Sequence, residues 1–148
     1  MRPRTALWAR RLGALALLGA GLEHLDQLTA QHYSAIPTIG TLFALDVAGS
    51  AAVATGLLAP VHRLPGRAGR WAVRVLCLAG IAIAAGSVAG LYVSEHGGLF
   101  GFREVGTRPA IVWSIVFELL TLLLLAVPLV AGTPLRVRRG QHDAGAWR

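Results

Sequence analysis

Seven acidic residues and five histidines are the side chains of this sequence that could transfer protons, bind cations or ligate a metal ion. Six of them lie in or beside apolar segments, and we single these out as candidate binding-site residues: Glu23, His24, Asp46, Glu95, His96 and Glu118. Imidazole and carboxylate together suit divalent transition metals. We therefore expect a site for a cation, proton or metal, with His24, His96 and Glu118 as candidate metal ligands. No HExxH-like spacing is present. The expectation therefore depends on these residues lying at similar depth along the apolar segments.

The same residues allow other interpretations. His24 and His96 belong to different segments and could be the two axial ligands of a b-type haem, and a lipid-binding or quinone-linked redox protein is a further alternative. A purely structural interpretation is that the buried carboxylates only fix helix packing through hydrogen bonds. The small residues Ala82, Gly86 and Gly90, at four-residue spacing, are typical of close helix packing.

Motifs for covalent or phosphate chemistry are missing from the sequence. No serine has a GxSxG context, and the glycines form neither a P-loop nor a dinucleotide-binding pattern. The single cysteine, Cys77, lies in an apolar run without a neighbouring base, as is typical of a buried thiol. We therefore expect an accessory or ligand-binding protein more than an enzyme.

The elements that must position these residues are apolar. Of the 148 residues, 55% are hydrophobic and 14% charged, with a mean hydropathy of +0.60. Soluble domains carry about 25% charged residues, so the composition predicts an integral membrane protein. Residues 39–59, 71–93 and 110–131 are each long enough to cross a bilayer core, which takes about 20 residues of helix. We expect residues 1–148 to form one membrane domain.

A fourth span is predicted over residues 10–30, although its uninterrupted apolar run covers only 12–22. A basic start, a short apolar run and small residues near position 20 are also features of a cleaved signal peptide over residues 1–21. The helical interpretation is favoured because one face, within an arc of about 160° at 100° per residue, holds Glu23, His24, Asp26, Gln27 and Gln31. We expect this polar face to lie against protein and the apolar face against lipid.

Arginine supplies all 14 basic residues. With four spans, 12 of them lie at the end that holds both chain termini and the 62–70 connection, and only Arg103 and Arg108 lie at the other end. The positive-inside rule then predicts a multi-pass protein of the cell membrane with cytoplasmic N- and C-termini and a basic cytoplasmic tail over 133–148. The net charge of +7 is thus explained by topology, and we expect no nucleic-acid partner.

Residues 21–25 (GLEHL), Tyr33, residues 36–40 (IPTIG) and the pair Leu42 and Phe43 resemble small four-helix bacterial membrane proteins of the DoxX-like kind. The arginine-only, alanine-rich composition looks actinobacterial. The resemblance implies an all-α, four-transmembrane-helix bundle, and some proteins of this kind are associated with membrane redox functions. It transfers no catalytic residue. The expected partners are the lipid bilayer and either further copies of the chain or a larger membrane complex.

Overall fold

A computed structural model describes residues 3–61, 64–65, 67–106 and 108–131, and these residues form four α-helices without any strand. The helices are α1 (Pro3–Thr29), α2 (Pro37–Leu58), α3 (Ala68–His96) and α4 (Pro109–Ala131), with a short 3-10 turn at Tyr33–Ala35. The all-helical prediction is confirmed, and α2, α3 and α4 are long and apolar enough to cross a membrane. The predicted tail over 133–148 lies outside the described residues.

The predicted boundaries hold to within a few residues for three helices. The helix α1 begins at Pro3, ahead of the predicted span from residue 10, and α3 extends three residues beyond its predicted span at each end. Both α2 and α4 begin with proline, whose fixed φ and missing N–H suit the first helical turn. Residues 30–36 separate α1 from α2 and include the 3-10 turn.

The four helices form an up-and-down bundle in which α1 packs most extensively against α4 and α2. The connection 30–36 and the connection formed by 97–106 and Arg108 lie together at one end. We call it the distal end because it is opposite Pro3 and Ala131, the ends of the described chain. Gly40 is required there: a Cβ at this position would lie 2.9 Å from the carbonyl oxygen of Tyr33 and 3.0 Å from Cα of Ser34. Close contact between α2 and the 3-10 turn fixes where Tyr33 lies.

The two halves of the bundle differ in packing. The apolar core lies in the half nearer the termini, and its fully buried residues come from all four helices: Ala14, Leu17, Ala54, Leu57, Cys77 and Leu125. Glycines allow close contact around it, since a Cβ at either Gly13 or Gly80 would lie 2.6 Å from the Leu125 side chain. The distal half holds a cavity instead of a second packed core.

The close-packing prediction for Ala82, Gly86 and Gly90 was wrong. A Cβ at Gly86 would meet no atom within 4 Å, and one at Gly90 would meet only the Leu99 side chain, at 3.9 Å. All three residues line the distal cavity. The four-residue spacing was read correctly as one face of α3, but no neighbouring helix packs against that face at this level.

Candidate functional site: a polar cluster beside a cavity

An imidazole, two carboxylates and a hydroxyl from all four helices meet in the distal half. His24 of α1 lies 2.9 Å from Ser87 Oγ of α3 and 3.1 Å from Glu118 Oε1 of α4, both measured from its Nε2 atom. The same nitrogen lies 3.8 Å from Asp46 Oδ1 of α2. We call His24, Asp46, Ser87 and Glu118 the polar cluster.

Burial makes the contacts of the polar cluster significant. The side chains of His24 and Glu118 are 8% and 2% exposed, and that of Asp46 is 17% exposed. Buried charges are stable only when they are paired or hydrogen-bonded. The ring edge of Phe43 also packs against His24, with centroids 5.1 Å apart, and holds the imidazole in place.

Two serines lie four residues from an acid of the polar cluster, a spacing that places each on the same helix face as that acid. Only one of them contacts its acid. Ser50, four residues after Asp46, donates a hydrogen bond to Asp46 Oδ1 at 3.1 Å. Ser114, four residues before Glu118, donates instead to the backbone carbonyl of Ile111 at 3.2 Å, and its side chain lines the cavity without contacting the carboxylate. The one-turn spacing is therefore used on α2 and not on α4.

The cavity beside the polar cluster has a volume of about 420 Å³. Its polar lining includes His24, Gln27, Asp46, Ser87 and Glu118, and its apolar lining comes mainly from α2, α3 and the 97–106 connection. Small-molecule sites typically measure about 300–1,000 Å³ and combine apolar walls with a few convergent polar groups. The distal half therefore has the size and lining of a small-ligand site.

A second polar group closes the distal end of the cavity. Tyr33 Oη donates to Glu104 Oε2 at 2.5 Å, and Arg108 donates both to Tyr33 Oη and to Glu104 Oε1, the latter at 2.6 Å. Arg108 also donates to Gln31 Oε1 at 3.2 Å. Because these residues belong to both distal connections, their contacts join the α1–α2 connection to the α3–α4 connection.

Burial and hydrogen bonds raise the pKa values of Tyr33 and Arg108 in this second polar group. Burial of the phenol, followed by its hydrogen bond to Glu104, raises the pKa of Tyr33. The hydrogen bond to Tyr33, followed by the one to Glu104, raises the pKa of Arg108. The guanidinium also lies over the Tyr33 ring, 5.4 Å from its centroid. Glu104 lines the cavity, and Arg108 balances its charge.

The structure brings together three of the six residues singled out from the sequence, namely His24, Asp46 and Glu118. Glu23, next to His24, is half-buried and does not line the cavity. Glu95 and His96 are exposed at the end of α3, since Ser94 takes the inward position and the next two residues rotate away from it. His96 Nδ1 lies 2.9 Å from the carbonyl oxygen of Tyr92, and the two rings stack.

These positions bear on the metal and haem interpretations. Among the described residues, no group of three or more His, Cys, Asp or Glu side chains is arranged to hold a metal ion. His24 lines the cavity, whereas His96 is exposed and does not, so the structure does not bring them together as axial haem ligands. A metal or haem proposal therefore has no geometric support in the part of the chain that the structure describes.

Sequence reasoning missed several residues of the site. Ser87 and Ser94 are seven residues apart, which places them on one face of α3, and both line the cavity. Gln27 was assigned to the polar face of α1 but not to the site, and it is 4% exposed beside the cavity. Glu104 and Arg108 have the four-residue spacing of an ion pair, but they lie outside the predicted spans.

Comparison of the chain with protein-family models, with curated proteins and with solved structures finds no match. The resemblance to DoxX-like proteins therefore stays a prediction from residues 21–43.

Proposed function

We propose that this protein is a multi-pass membrane protein that binds a small amphipathic molecule in the distal cavity, as an accessory or ligand-binding subunit. The observation that carries the proposal is the convergence of His24, Asp46, Ser87 and Glu118 beside a 420 Å³ cavity. Ionisable residues within a membrane are costly, by about 3 kcal/mol each on insertion scales, and default to a functional role. Apolar packing alone would not require them.

Four membrane spans are part of this proposal. The 27 residues of α1 give a helix about 40 Å long, and α1 packs beside three helices that are apolar enough to span. Its Leu17 is fully buried in the core, while Leu12, Leu15 and Leu22 are exposed on its outer face. This pattern supports a helix that remains in the bundle rather than a removed leader.

The arginine distribution supports cytoplasmic termini, which places the distal cavity in the outer half of the membrane. Exposed aromatic residues lie at two levels of the bundle, as expected for the two membrane–water interfaces. Trp8 and Trp71 lie near the end opposite the distal end, and Tyr92 and Trp113 lie near the distal end. Alkaline phosphatase fused within residues 97–106 should be active, and the same enzyme fused after residue 148 should be inactive. The reverse pattern would contradict this orientation.

Ligand binding is tested by filling the cavity. Gly86→Leu places a side chain where nothing lies within 4 Å, so it should occupy the cavity without disturbing the helices. Ala85→Leu is the matched control, because Ala85 is exposed and does not line the cavity. Native mass spectrometry of protein purified in lipid nanodiscs should detect a bound small molecule in the wild type and in Ala85→Leu, and none in Gly86→Leu. An equal bound mass in all three proteins, or none in the wild type, would contradict the proposal.

A further inference from the structure

The cavity opens sideways between α2 and α3. Nearer the termini these helices are in close contact: a Cβ at Gly56 would lie 2.9 Å from the Leu76 side chain, and one at Gly49 would lie 3.2 Å from Ile83. Three residues beyond Ile83, less than one helical turn, the space beside Gly86 on α3 is empty. The space beside α3 at this level is therefore unfilled, and it belongs to the cavity that residues of both helices line.

The edges of this opening are apolar and exposed. Leu42 and Leu45 on α2 are 41% and 63% exposed, and Ala82 and Gly86 on α3 are also exposed, although all four line the cavity. In the proposed membrane this opening faces the hydrocarbon chains of the lipid. A ligand with an apolar body can enter from the bilayer without crossing a polar barrier.

Acidic groups are in excess inside the opening. Asp46 and Glu118 are two carboxylates, and even a protonated His24 balances only one of them. Glu104 adds no free charge because Arg108 pairs with it, and no arginine or lysine is among the described residues that line the cavity. A charge in a low-dielectric site needs a partner, so a cationic group on the ligand would complete the cluster.

Two buried nitrogen atoms beside the cavity lack a hydrogen-bond partner among the described residues. They are Nδ1 of His24 and Nε2 of Gln27, on side chains of residues that are 6% and 4% exposed. The two residues are three apart on α1 and therefore share a face. Unsatisfied buried polar atoms are unfavourable, and an oxygen acceptor on the ligand would satisfy the Gln27 amide once that side chain rotates its Nε2 atom toward the cavity.

We infer that the cavity takes up, from the surrounding lipid, an amphipathic amine that carries an oxygen acceptor close to its ammonium group. The inference depends on the proposed ligand-binding function and adds the chemical class and the route of entry. The ammonium binds Glu118 and Asp46, the oxygen accepts from the Gln27 amide, and the apolar body packs against Phe43 and the exposed edge of the opening. An uncharged redox ligand such as a quinone would leave the carboxylates unbalanced.

Propranolol is a suitable probe because it joins a naphthyl ring, an ether oxygen, a hydroxyl group and a secondary ammonium. Its binding is measured by scintillation proximity with protein in lipid nanodiscs, and binding to empty nanodiscs is subtracted. An uncharged analogue, in which a hydroxyl group replaces the amine, is measured as competitor. We expect saturable binding of the amine and at least about tenfold weaker competition by the analogue, the size of one lost charged hydrogen bond.

Variants locate the binding. Glu118→Gln and the more exposed Asp46→Asn should each weaken binding about tenfold, Gly86→Leu should abolish it, and Ala85→Leu should leave it unchanged. Asp46→Asn and Gly86→Leu remain informative if Glu118→Gln fails to fold. Equal affinity of the uncharged analogue, with binding still lost in Gly86→Leu, would overturn the amine class and leave the cavity as a ligand site. Absence of saturable propranolol binding would also overturn the inference. The proposed function is decided separately, by whether native mass spectrometry detects a bound small molecule in the wild type and none in Gly86→Leu.

Discussion

Replacing His24 by alanine removes the only described basic partner of Glu118 and leaves its buried carboxylate without an ion pair. Glu118 has a 2% exposed side chain, so in the wild type its carboxylate depends on the imidazole more than on water. Removing one partner of a buried ion pair costs about 3–5 kcal/mol. A neutral interhelical hydrogen bond in a membrane protein is worth only about 0.6 kcal/mol on average. We therefore expect His24→Ala to lower the free energy of unfolding by about 3–5 kcal/mol.

Reversible unfolding in mixed micelles measures this change, with His96→Ala as the matched control. His96 is exposed and contacts only its own helix, so its replacement should change the free energy by less than about 0.5 kcal/mol. The double variant His24→Ala/Glu118→Ala should cost about 0.5–3 kcal/mol less than the sum of the two single variants, because it leaves no unpaired carboxylate on α4. Equal effects at His24 and His96, or additive single variants, would refute the reasoning.

Three further predictions concern the packing and the distal end. Leu125→Ala should lower the free energy of unfolding by about 2–5 kcal/mol because Leu125 is fully buried, whereas Leu123→Ala, at a 69% exposed position, should have little effect in the same micelle assay. Gly80→Ala should cost about 1–3 kcal/mol through overpacking, and Gly86→Ala, in open space, should be tolerated; equal melting temperatures would contradict the difference in packing. Tyr33 has a raised pKa in the folded protein. Its contribution to the free energy of unfolding is therefore complete below its ordinary pKa of 10.0 and should be lost as the pH rises through the higher pKa of the folded state. Tyr33→Phe should remove that alkaline loss of stability, and an unchanged pH profile would contradict it.

The positions of apolar runs in the sequence predicted most of the helices. Apolar runs predicted α2, α3 and α4, whose observed ends lie within three residues of the predicted spans. The helix α1 begins before the predicted span, because Arg10 and Arg11 flank the apolar run without ending the helix, which continues through them to Pro3. Charges within an amphipathic helix do not end it, so hydropathy alone cannot locate such a boundary.

The candidate site was predicted in part because depth along a helix is readable from sequence and rotation between helices is not. His24, Asp46 and Glu118 lie at similar depth and face the same interior. Glu95 and His96 were expected at the site from depth as well, but they follow the inward position of Ser94 and rotate away. Successive residues of a helix are rotated by about 100°. Whether a residue belongs to the site therefore depends on which face of α3 packs toward the interior of the bundle.

The glycines show why packing cannot be read from spacing alone. Gly80 and Gly86 are both on α3 in runs of small residues, yet a Cβ at Gly80 would lie 2.6 Å from Leu125 and one at Gly86 would meet nothing within 4 Å. The difference arises because Gly80 faces the apolar core, where Leu125, Leu17 and Val53 surround it, whereas Gly86 lines the cavity. Small residues thus allow close packing in one place and line a cavity in another.

The central claim is that His24 and Glu118 form a direct contact between α1 and α4 inside the distal half of the bundle. Solid-state NMR on protein in lipid bilayers, with labelled histidine ring nitrogens and labelled glutamate side-chain carbons, measures this contact through the dipolar coupling between them. The account predicts a strong short-range coupling, as the 3.1 Å distance from His24 Nε2 to Glu118 Oε1 requires, which disappears in Glu118→Gln. Absence of this coupling, or its persistence in Glu118→Gln, would contradict the account.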